Sequence, residues 1–416
     1  MRKTKRSLLA LLLALALGLT MGLTAFADDS EDVVYGTYEN PAEAAITKIL
    51  QLPQGTTTPN ADFLFDVAPV SANGENDTPT FAAMPVIGDD GVVTISYSAS
   101  DTADPVDGVI TLTKESPSLF QGSLFDGPWP GTGVFVYEVT ERDDEGFTPV
   151  TPPPTEVMTY SQASYLLNVY VKQDPETGNL FVYAISALRV TEDNGTDAGY
   201  KVDPTPGIEG TEHVYSEMSF TNSFVRINGD DEVDGSKHLT IAKAVNGDWA
   251  NTDEFFNFTL SITPPSLLPS DLAQDSYPAE IYNADGTHVG TISVEPGTAA
   301  EFSLKHGWRL VVLELPVGTD YAVEEIEPTN YEPSYSLYIG GGTPDTVIGN
   351  LGEDLEAVGY VADAGVNRAA FTNLRDDITP TGLNLNMLPF VIMVLMAAGA
   401  IVSLAAVKAR KKNRSH

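Results

Sequence analysis

Short apolar segments with period-two alternation, separated by turn-forming residues, limit most strongly how this chain can fold. Val, Ile, Thr, Tyr and Phe recur in short runs through the interior, and Gly, Pro, Asn and Asp bound those runs. No long stretch shows the 3.6-residue periodicity of an amphipathic helix. The pattern is typical of sandwiches of antiparallel strands. The sequence therefore predicts an all-β fold built from immunoglobulin-like β-sandwich domains.

The amino-terminal segment has the three parts of a secretory signal peptide. A basic start, Met-Arg-Lys-Thr-Lys-Arg, precedes a short stretch rich in Leu and Ala, and Ala25-Phe26-Ala27 supplies a small-x-small cleavage site. We expect residues 1–27 to be removed on export.

The carboxyl-terminal segment combines an apolar block with a basic tail. Residues 388–407 are long enough and apolar enough to cross a bilayer, and residues 408–416 carry five Lys and Arg side chains that favour the cytoplasmic side. The body of the chain would then lie outside the cell. Residues 378–382, which read Ile-Thr-Pro-Thr-Gly, stand just ahead of the block. Taken alone, these features predict a single-pass membrane anchor.

Between these ends the chain is strongly acidic. Nine of the 22 basic residues lie in the two end segments and all 58 acidic residues lie between them, so residues 28–381 carry a net charge of 13 − 58 = −45. That charge excludes nucleic acid as a partner. The segment is also too long for one core, and two domains are expected. The predicted domains are residues 28–226 and 237–377, joined by a linker at residues 227–236 that is rich in Gly and acidic side chains.

The residues that usually hold metals or cofactors are scarce. Cysteine is absent, and five histidines are scattered with no paired spacing, so neither a zinc site nor a Ser-His-Asp triad is indicated and no cofactor is expected. Asp230, Glu232, Asp234 and Gly235 faintly resemble a calcium loop, but Ile241 stands where its closing Glu would be. The sequence therefore favours a plain acidic linker at this place.

Two lysines occupy positions that the alternation assigns to the protein core. Lys48 falls on the apolar face of the predicted strand 46–52, and Lys243 falls on the apolar face of the predicted strand 239–245. Each would be the first strand of its domain. A buried charge costs several kcal/mol unless it is paired or neutralised.

Polar residues of two further kinds are placed inward in the same way. Each predicted domain ends in Phe-Thr-Asn, with Asn222 and Asn373 on the apolar face, and Glu141 and Glu325 lie inward on strands between the lysine and the asparagine. An ordinary buried Lys–Glu pair with a backbone-bonded Asn is one explanation. The other is a reaction: burial favours a neutral lysine amine and a protonated glutamate, so that the amine could attack the Asn carbonyl and release ammonia.

Four motifs resemble those of the streptococcal major pilin family, whose CnaB-like domains form their own isopeptide bonds. They are Leu-Thr-Ile-Ala-Lys-Ala-Val-Asn-Gly at 239–247, Leu-Pro-Val-Gly-Thr-Asp-Tyr-Ala-Val-Glu-Glu at 315–325, Phe-Thr-Asn at 371–373 and the Pro-Thr-Gly tail. The resemblance implies Lys48–Asn222 and Lys243–Asn373 crosslinks, with Glu141 and Glu325 as the catalytic carboxylates of their own formation.

The tail resembles a cell-wall sorting signal, although Thr379 stands where the commonest form has Pro. The resemblance implies that a sortase cuts between Thr381 and Gly382 and transfers Thr381 to peptidoglycan or to another pilin subunit. The protein would then be an extracellular, wall-anchored pilus subunit that holds cells to surfaces, with host surface ligands as further partners.

Polymerisation needs a lysine that accepts Thr381 of the next subunit. In the pilin family this lysine lies shortly before the last strand of the first domain, but residues 213–218 contain none here. Lys201 is the nearest upstream candidate and Lys172 is the next. The departure leaves a monomeric wall-anchored adhesin or stalk as an alternative. A wall-anchored hydrolase with a carboxylate pair is a further alternative, for which no motif stands out.

Overall fold

The computed structural model describes residues 35–143, 146–149, 155–228 and 237–376. Their regular secondary structure is almost entirely β-strand, with 49% strand and 2% helix, which confirms the predicted all-β class. Within the described ranges, no helix has the length and apolar character needed to cross a membrane. The predicted signal peptide, sortase motif, apolar span and basic tail, and most of the predicted linker, lie outside the described residues.

The first half of the described chain forms two main sheets. A four-stranded sheet has the order β5-β1-β12-β8, a six-stranded sheet has the order β11-β10-β9-β7-β2-β4, and β3 pairs with β6. A four-residue helix, α1, spans Pro79–Ala82, and a 3₁₀ turn spans Gly122–Leu124. The strands are β1 Thr47–Pro53, β2 Ala61–Ala72, β3 Val86–Ile87, β4 Val92–Tyr97, β5 Val109–Glu115, β6 Phe125–Asp126, β7 Gly133–Glu141, β8 Thr155–Thr159, β9 Ser164–Gln173, β10 Leu180–Thr191, β11 Asp197–Val202 and β12 Ser219–Ile227.

The second half repeats the two-sheet plan. A seven-stranded sheet has the order β16-β15-β18-β13-β23-β20-β21, and a four-stranded sheet has the order β17-β14-β19-β22. The strands are β13 Leu239–Asn246, β14 Phe256–Thr263, β15 Tyr277–Tyr282, β16 His288–Val294, β17 Ala300–Leu304, β18 Arg309–Val312, β19 Asp320–Ile326, β20 Glu332–Tyr338, β21 Asp345–Ile348, β22 Leu355–Tyr360 and β23 Arg368–Leu374.

Each half encloses its own apolar core. Phe65, Tyr137 and Phe220 are among the fully buried side chains of the first core, and Phe258 and Leu310 belong to the second. Burial alternates along the strands as the sequence pattern requires, most regularly on β13, where every second residue from Leu239 is buried. We refer to the two halves as the first and second sandwich. The residue bounds of the predicted domains stay predictions, although β12 extends to Ile227, the first residue of the predicted linker.

The first and last strands of each sandwich are neighbours and run parallel. In the first sandwich β1 pairs with β12, and Leu50 stands opposite Asn222. In the second sandwich β13 pairs with β23, and Val245 stands opposite Asn373. In both pairs the residue opposite the Asn lies two positions after the lysine, so lysine and asparagine share the inward face.

Buried polar contacts join the two sandwiches directly. Arg226 contacts Glu156 of its own sandwich, and its Nη1 lies 2.8 Å from Oδ2 of Asp363 in the second sandwich. The Asp363 side chain, only 1% exposed, also accepts hydrogen bonds of 2.8 Å from the N–H and the hydroxyl of Thr57. Gly318 adopts a φ of +83° beside these contacts, and a Cβ there would lie 2.5 Å from Pro53. Both the charges and the close backbone approach fix how the sandwiches meet.

Candidate functional site

Three polar side chains meet inside the first sandwich. Lys48 on β1 donates from Nζ to Oε2 of Glu141 at 3.0 Å, and Asn222 on β12 donates from Nδ2 to Oε1 of the same carboxyl at 2.6 Å. The side chains of Lys48 and Glu141 are 0% exposed, and Asn222 is equally buried. Glu141 stands at the end of β7, in the opposite sheet, so its carboxyl bridges the two layers of the sandwich.

The second sandwich repeats the arrangement. Lys243 Nζ lies 2.5 Å from Oε1 of Glu325, and Asn373 Nδ2 donates to the same oxygen at 2.8 Å. The lysine and glutamate side chains are 0% exposed, and Asn373 is 0% exposed as a residue. The structure therefore brings the six residues predicted from the sequence together as two triads. Members of a triad are up to 174 positions apart in the first sandwich and up to 130 in the second.

Aromatic rings separate both triads from water. Lys48 Nζ lies 4.5 Å from the ring centroid of Phe63, and Lys243 Nζ lies 4.4 Å from that of Phe256. Both rings belong to the sheet that faces the lysine strand. Apart from the contact with its glutamate, an amine in such a site has only weak cation–π contacts in place of hydration, and its charge is therefore disfavoured.

The protonation states follow from this burial. Desolvation lowers the pKa of Lys48 to about 8 against the opposing attraction of Glu141, and it lowers the pKa of Lys243 to about 8 against that of Glu325. Desolvation also raises the pKa of Glu141 and of Glu325 above the usual carboxyl value, although the paired lysine opposes the shift. Both shifts favour the form of each pair in which the proton lies on the carboxyl and the amine is neutral.

A neutral amine, a carboxylic acid and a carboxamide in one dry site can react together. The amine is the nucleophile and the Asn side-chain carbonyl is the electrophile. The carboxyl contacts both the lysine nitrogen and the amide nitrogen, so it can move protons between them. Among the described residues, no group of three or more His, Cys, Asp or Glu side chains is placed to hold a metal ion. The amine, carboxyl and carboxamide of each triad are the groups that an acyl transfer between two side chains requires.

The two triads differ around the Asn carbonyl oxygen. The backbone N–H of Ser161, in the connection between β8 and β9, donates to Asn222 Oδ1 at 2.7 Å. Within the described ranges, Asn373 Oδ1 and Glu325 Oε2 have no hydrogen-bond partner. Ser161 could not be predicted from the sequence, because a backbone N–H carries no residue signature and its position depends on a loop conformation.

The candidate intersubunit lysines lie on the six-stranded sheet. Lys172 on β9 is exposed, and its Nζ lies 3.1 Å from the ring centroid of Tyr183 on β10. Lys201 is exposed on β11, at the edge of the sheet, where it pairs with Leu188. Thr381 and Gly382 lie outside the described residues, as do Asp230, Asp234 and Gly235 of the acidic segment.

Fold and site together define a protein of tandem β-sandwiches in which a buried Lys–Glu–Asn triad joins the first strand of each sandwich to its last. Residues 237–375 match a family model described as a domain of unknown function, DUF7601. The chain is 25% identical over 366 residues to a pilin of Streptococcus pyogenes serotype M1, covering 87% of this chain and 90% of that protein. This similarity confirms the predicted resemblance and supports a pilin-like family for the chain.

Two further comparisons are a sequence match over a shorter segment and a match to a solved structure. The pilus tip adhesin Cpa of Streptococcus pyogenes is 30% identical over 148 residues, which cover 35% of this chain and 18% of the adhesin. The crystal structure of the major pilin from Streptococcus pyogenes is 22% identical and matches 81% of this chain and all of that chain, with a TM-score of 0.33.

Proposed function

We propose that this chain is a structural pilus subunit of the bacterial surface, stabilised by Lys48–Asn222 and Lys243–Asn373 isopeptide bonds. The observation that carries the proposal is the convergence of six side chains into two equivalent triads at the same strand positions of both sandwiches. The similarity to a curated pilin along most of the chain supports the same function.

Each isopeptide bond forms when the lysine nitrogen replaces the amide nitrogen on the Asn side-chain carbonyl carbon. The neutral lysine Nζ bonds to the Asn Cγ, and the bond from Cγ to the amide nitrogen breaks. The glutamic acid donates a proton toward the departing nitrogen and receives one from the lysine nitrogen, so that ammonia leaves and the carboxyl is regenerated. No cofactor, oxidant or external enzyme is needed, and the reaction occurs once per site.

The position of the bonds gives them a mechanical role. Tension on a pilus subunit enters a sandwich through its first strand and leaves through its last strand. Because β1 bonds to β12 and β13 bonds to β23, the covalent links would carry that tension, and the sheets would not be peeled apart. A chain without cysteine would gain in this way the stability that disulfides give other exported proteins.

Anchoring completes the proposal. Residues 1–27 direct export, and a sortase cleaves between Thr381 and Gly382 to join Thr381 to peptidoglycan or to an amine of another pilin subunit. Lys201 and Lys172 are the proposed acceptor amines, and both are exposed on the six-stranded sheet. The support for wall anchoring is the sequence of residues 378–416.

Intact mass is the direct test of the crosslinks. We expect the full chain, made by cell-free synthesis without membranes, to weigh less than its sequence by two ammonia molecules. Lys48→Ala and Lys243→Ala should each restore one of them, and proteolytic mapping should place the remaining bond in the other sandwich. A wild-type mass equal to that of the sequence would refute the isopeptide bonds.

A further inference from the structure

The carbonyl oxygen of Asn222 accepts a hydrogen bond from a donor that has no counterpart at Asn373 in the part of the chain that the structure describes. The hydrogen bond of 2.7 Å from Ser161 N–H to Asn222 Oδ1 is buried on both sides. When an amine attacks Cγ, negative charge develops on this oxygen. A backbone N–H fixed at about 2.7–3.1 Å from a developing oxyanion is the geometry that stabilises such a transition state.

A carboxylate fixes this donor relative to the strand that carries its acceptor. Oδ1 of Asp193 accepts a hydrogen bond of 2.5 Å from the hydroxyl of Ser161 and another of 2.8 Å from the N–H of Thr221. Thr221 directly precedes Asn222 on β12. Ser161 Oγ in turn accepts a hydrogen bond of 3.0 Å from Ala163 N–H, which orders the same connection. One carboxylate oxygen thus ties the donor loop to the asparagine strand.

An arginine holds the carboxylate in place. Arg189 Nη2 lies 2.8 Å from Oδ2 of Asp193, and the guanidinium stacks 5.5 Å from the ring centroid of Tyr165. The arginine side chain is only 10% exposed, whereas that of Asp193 is 33% exposed. Because the arginine contacts Oδ2 of Asp193, the Oδ1 atom is available to accept hydrogen bonds from Ser161 and Thr221.

We propose that the Ser161 N–H is the oxyanion donor for Lys48–Asn222 bond formation, and that Asp193 is the residue that positions it. The inference rests on the proposed crosslinking function and adds a group to its mechanism. As Lys48 Nζ bonds to Asn222 Cγ, the carbonyl electron pair moves to Oδ1 and is stabilised by the N–H. It returns when the amide nitrogen leaves as ammonia.

The second sandwich is an internal control within the same molecule. Its reaction uses Lys243, Glu325 and Asn373 without such a donor among the described residues, so Asp193 should have no effect on it. Removal of a single oxyanion donor slows other acyl transfers by about 10²–10³-fold. Because Asp193→Ala displaces the donor but does not delete it, we expect first-sandwich bond formation to slow by at least about tenfold.

The experiment follows ammonia loss during pulsed cell-free synthesis of the full chain, with peptide mapping to assign each bond. Asp193→Ala should slow the first bond and leave the rate of the second unchanged. Asp193→Asn, which retains an oxygen acceptor at the same place, should restore the first rate to within about threefold of wild type, since both hydrogen bonds to Oδ1 can persist. A purely structural role of the Asp193–Arg189 ion pair would not be rescued in this way.

Asp174→Ala is the matched control variant. Asp174 also accepts a backbone N–H and a hydroxyl through one oxygen, both from Thr177, in an exposed turn of the same sandwich. If the Asp193→Ala variant loses the β-sheet circular dichroism of wild type, the Ser161→Ala variant is used in its place. That substitution removes the hydroxyl that donates to Asp193 Oδ1 and retains the backbone N–H of residue 161. The inference is overturned if the alanine variant used forms the first bond within twofold of Asp174→Ala, or if it slows both bonds equally. A wild-type chain that loses no ammonia refutes the proposed function itself.

Discussion

Lys48 and Asn222 lie on adjacent parallel strands, with the asparagine facing the residue two positions beyond the lysine, and a single glutamate contacts both. Lys243 and Asn373 stand in the same relation. The offset matters because it places the amine and the carboxamide on the same inward face, on neighbouring strands about 4.8 Å apart. A shift by one residue would turn one of the two groups to the opposite face.

Removal of the glutamate should abolish one bond and leave the other. In the Glu325→Ala chain we expect the mass deficit of one ammonia, assigned by peptide mapping to the first sandwich. Without the carboxyl, nothing in the second triad transfers a proton from the lysine nitrogen to the departing amide nitrogen. Glu324→Ala is the matched control, since the adjacent side chain lies on the other face of β19. A two-ammonia deficit in Glu325→Ala would contradict the assigned role.

Loss of a crosslink should lower the stability of its sandwich. Asn222→Ala removes the bond but leaves the Lys48–Glu141 contact in place. If the bond acts like a disulfide that closes a loop of more than a hundred residues, its loss lowers the free energy of unfolding of the first sandwich by about 4–5 kcal/mol. Guanidinium unfolding followed by tryptophan fluorescence measures this change, with Trp249 and Trp308 replaced by Phe so that the signal comes from the buried Trp129 of the first sandwich. Asn179→Ala, in an exposed turn, should change it by less than about 0.5 kcal/mol.

Bond formation should depend on pH through the lysine amines. Burial lowers the pKa of Lys48 and Lys243 to about 8, so the reactive neutral amine is scarce below that pH. Each pH unit further below reduces the neutral fraction by about tenfold, and the rate should rise with pH and level off near 8. The reaction also needs the protonated carboxyl, which is lost as the pH rises, and the raised pKa of Glu141 and Glu325 moves this loss to higher pH. Ammonia loss measured after synthesis at several pH values would show a falling or flat profile if this account is wrong.

The junction between the sandwiches should depend on Arg226. Its removal leaves Glu156 and Asp363, which have side chains only 5% and 1% exposed, without their cationic partner. Breaking a buried pair in this way costs about 3–5 kcal/mol. We expect Arg226→Ala to lower the melting temperature and to broaden the distribution of molecular dimensions in small-angle X-ray scattering. Arg142→Ala, which breaks the more exposed pair with Asp66, should cost about 1 kcal/mol or less and leave the scattering unchanged.

Polymerisation should depend on one exposed lysine. If the chain forms a pilus backbone through Lys201, a denaturing gel of cell-wall extract will show a ladder of covalent multimers that Lys201→Arg abolishes and Lys172→Arg retains. The arginine keeps the charge but cannot form the amide. The opposite pattern would assign the link to Lys172. A single band from wild type would favour the monomeric wall-anchored adhesin.

The sequence indicated the triads because each member breaks a strict alternation. Lys243, for example, interrupts the buried positions of β13, and Asn373 does the same on β23. A period-two pattern indicates which face of a strand each side chain occupies. The recurrence of Lys, Glu and Asn in both halves indicated that the inward faces of their strands meet. The β-sandwich class followed from the same pattern.

Other features could not be read from the sequence. Arg226 and Asp363, which contact each other, are 137 positions apart in the sequence. The chain is rich in acidic side chains, and no sequence pattern indicates which of them is buried. Ser161 acts through its backbone, and Asp193 is one of many acidic residues in turn-like segments. Such contacts depend on how loops and sandwiches meet in three dimensions, and alternation along a strand carries no information about that.

The parallel alignment of first and last strands also sets the direction in which the polypeptide travels. Because β1 and β12 point the same way, the chain enters the first sandwich at one pole and leaves it at the other, and β13 and β23 repeat this in the second. Each added sandwich therefore extends reach by about the length of a strand, roughly 23 Å for seven residues. A hairpin-like arrangement of the terminal strands would return the chain to its starting pole. With this topology, the number of sandwiches determines the distance between the two ends of the chain.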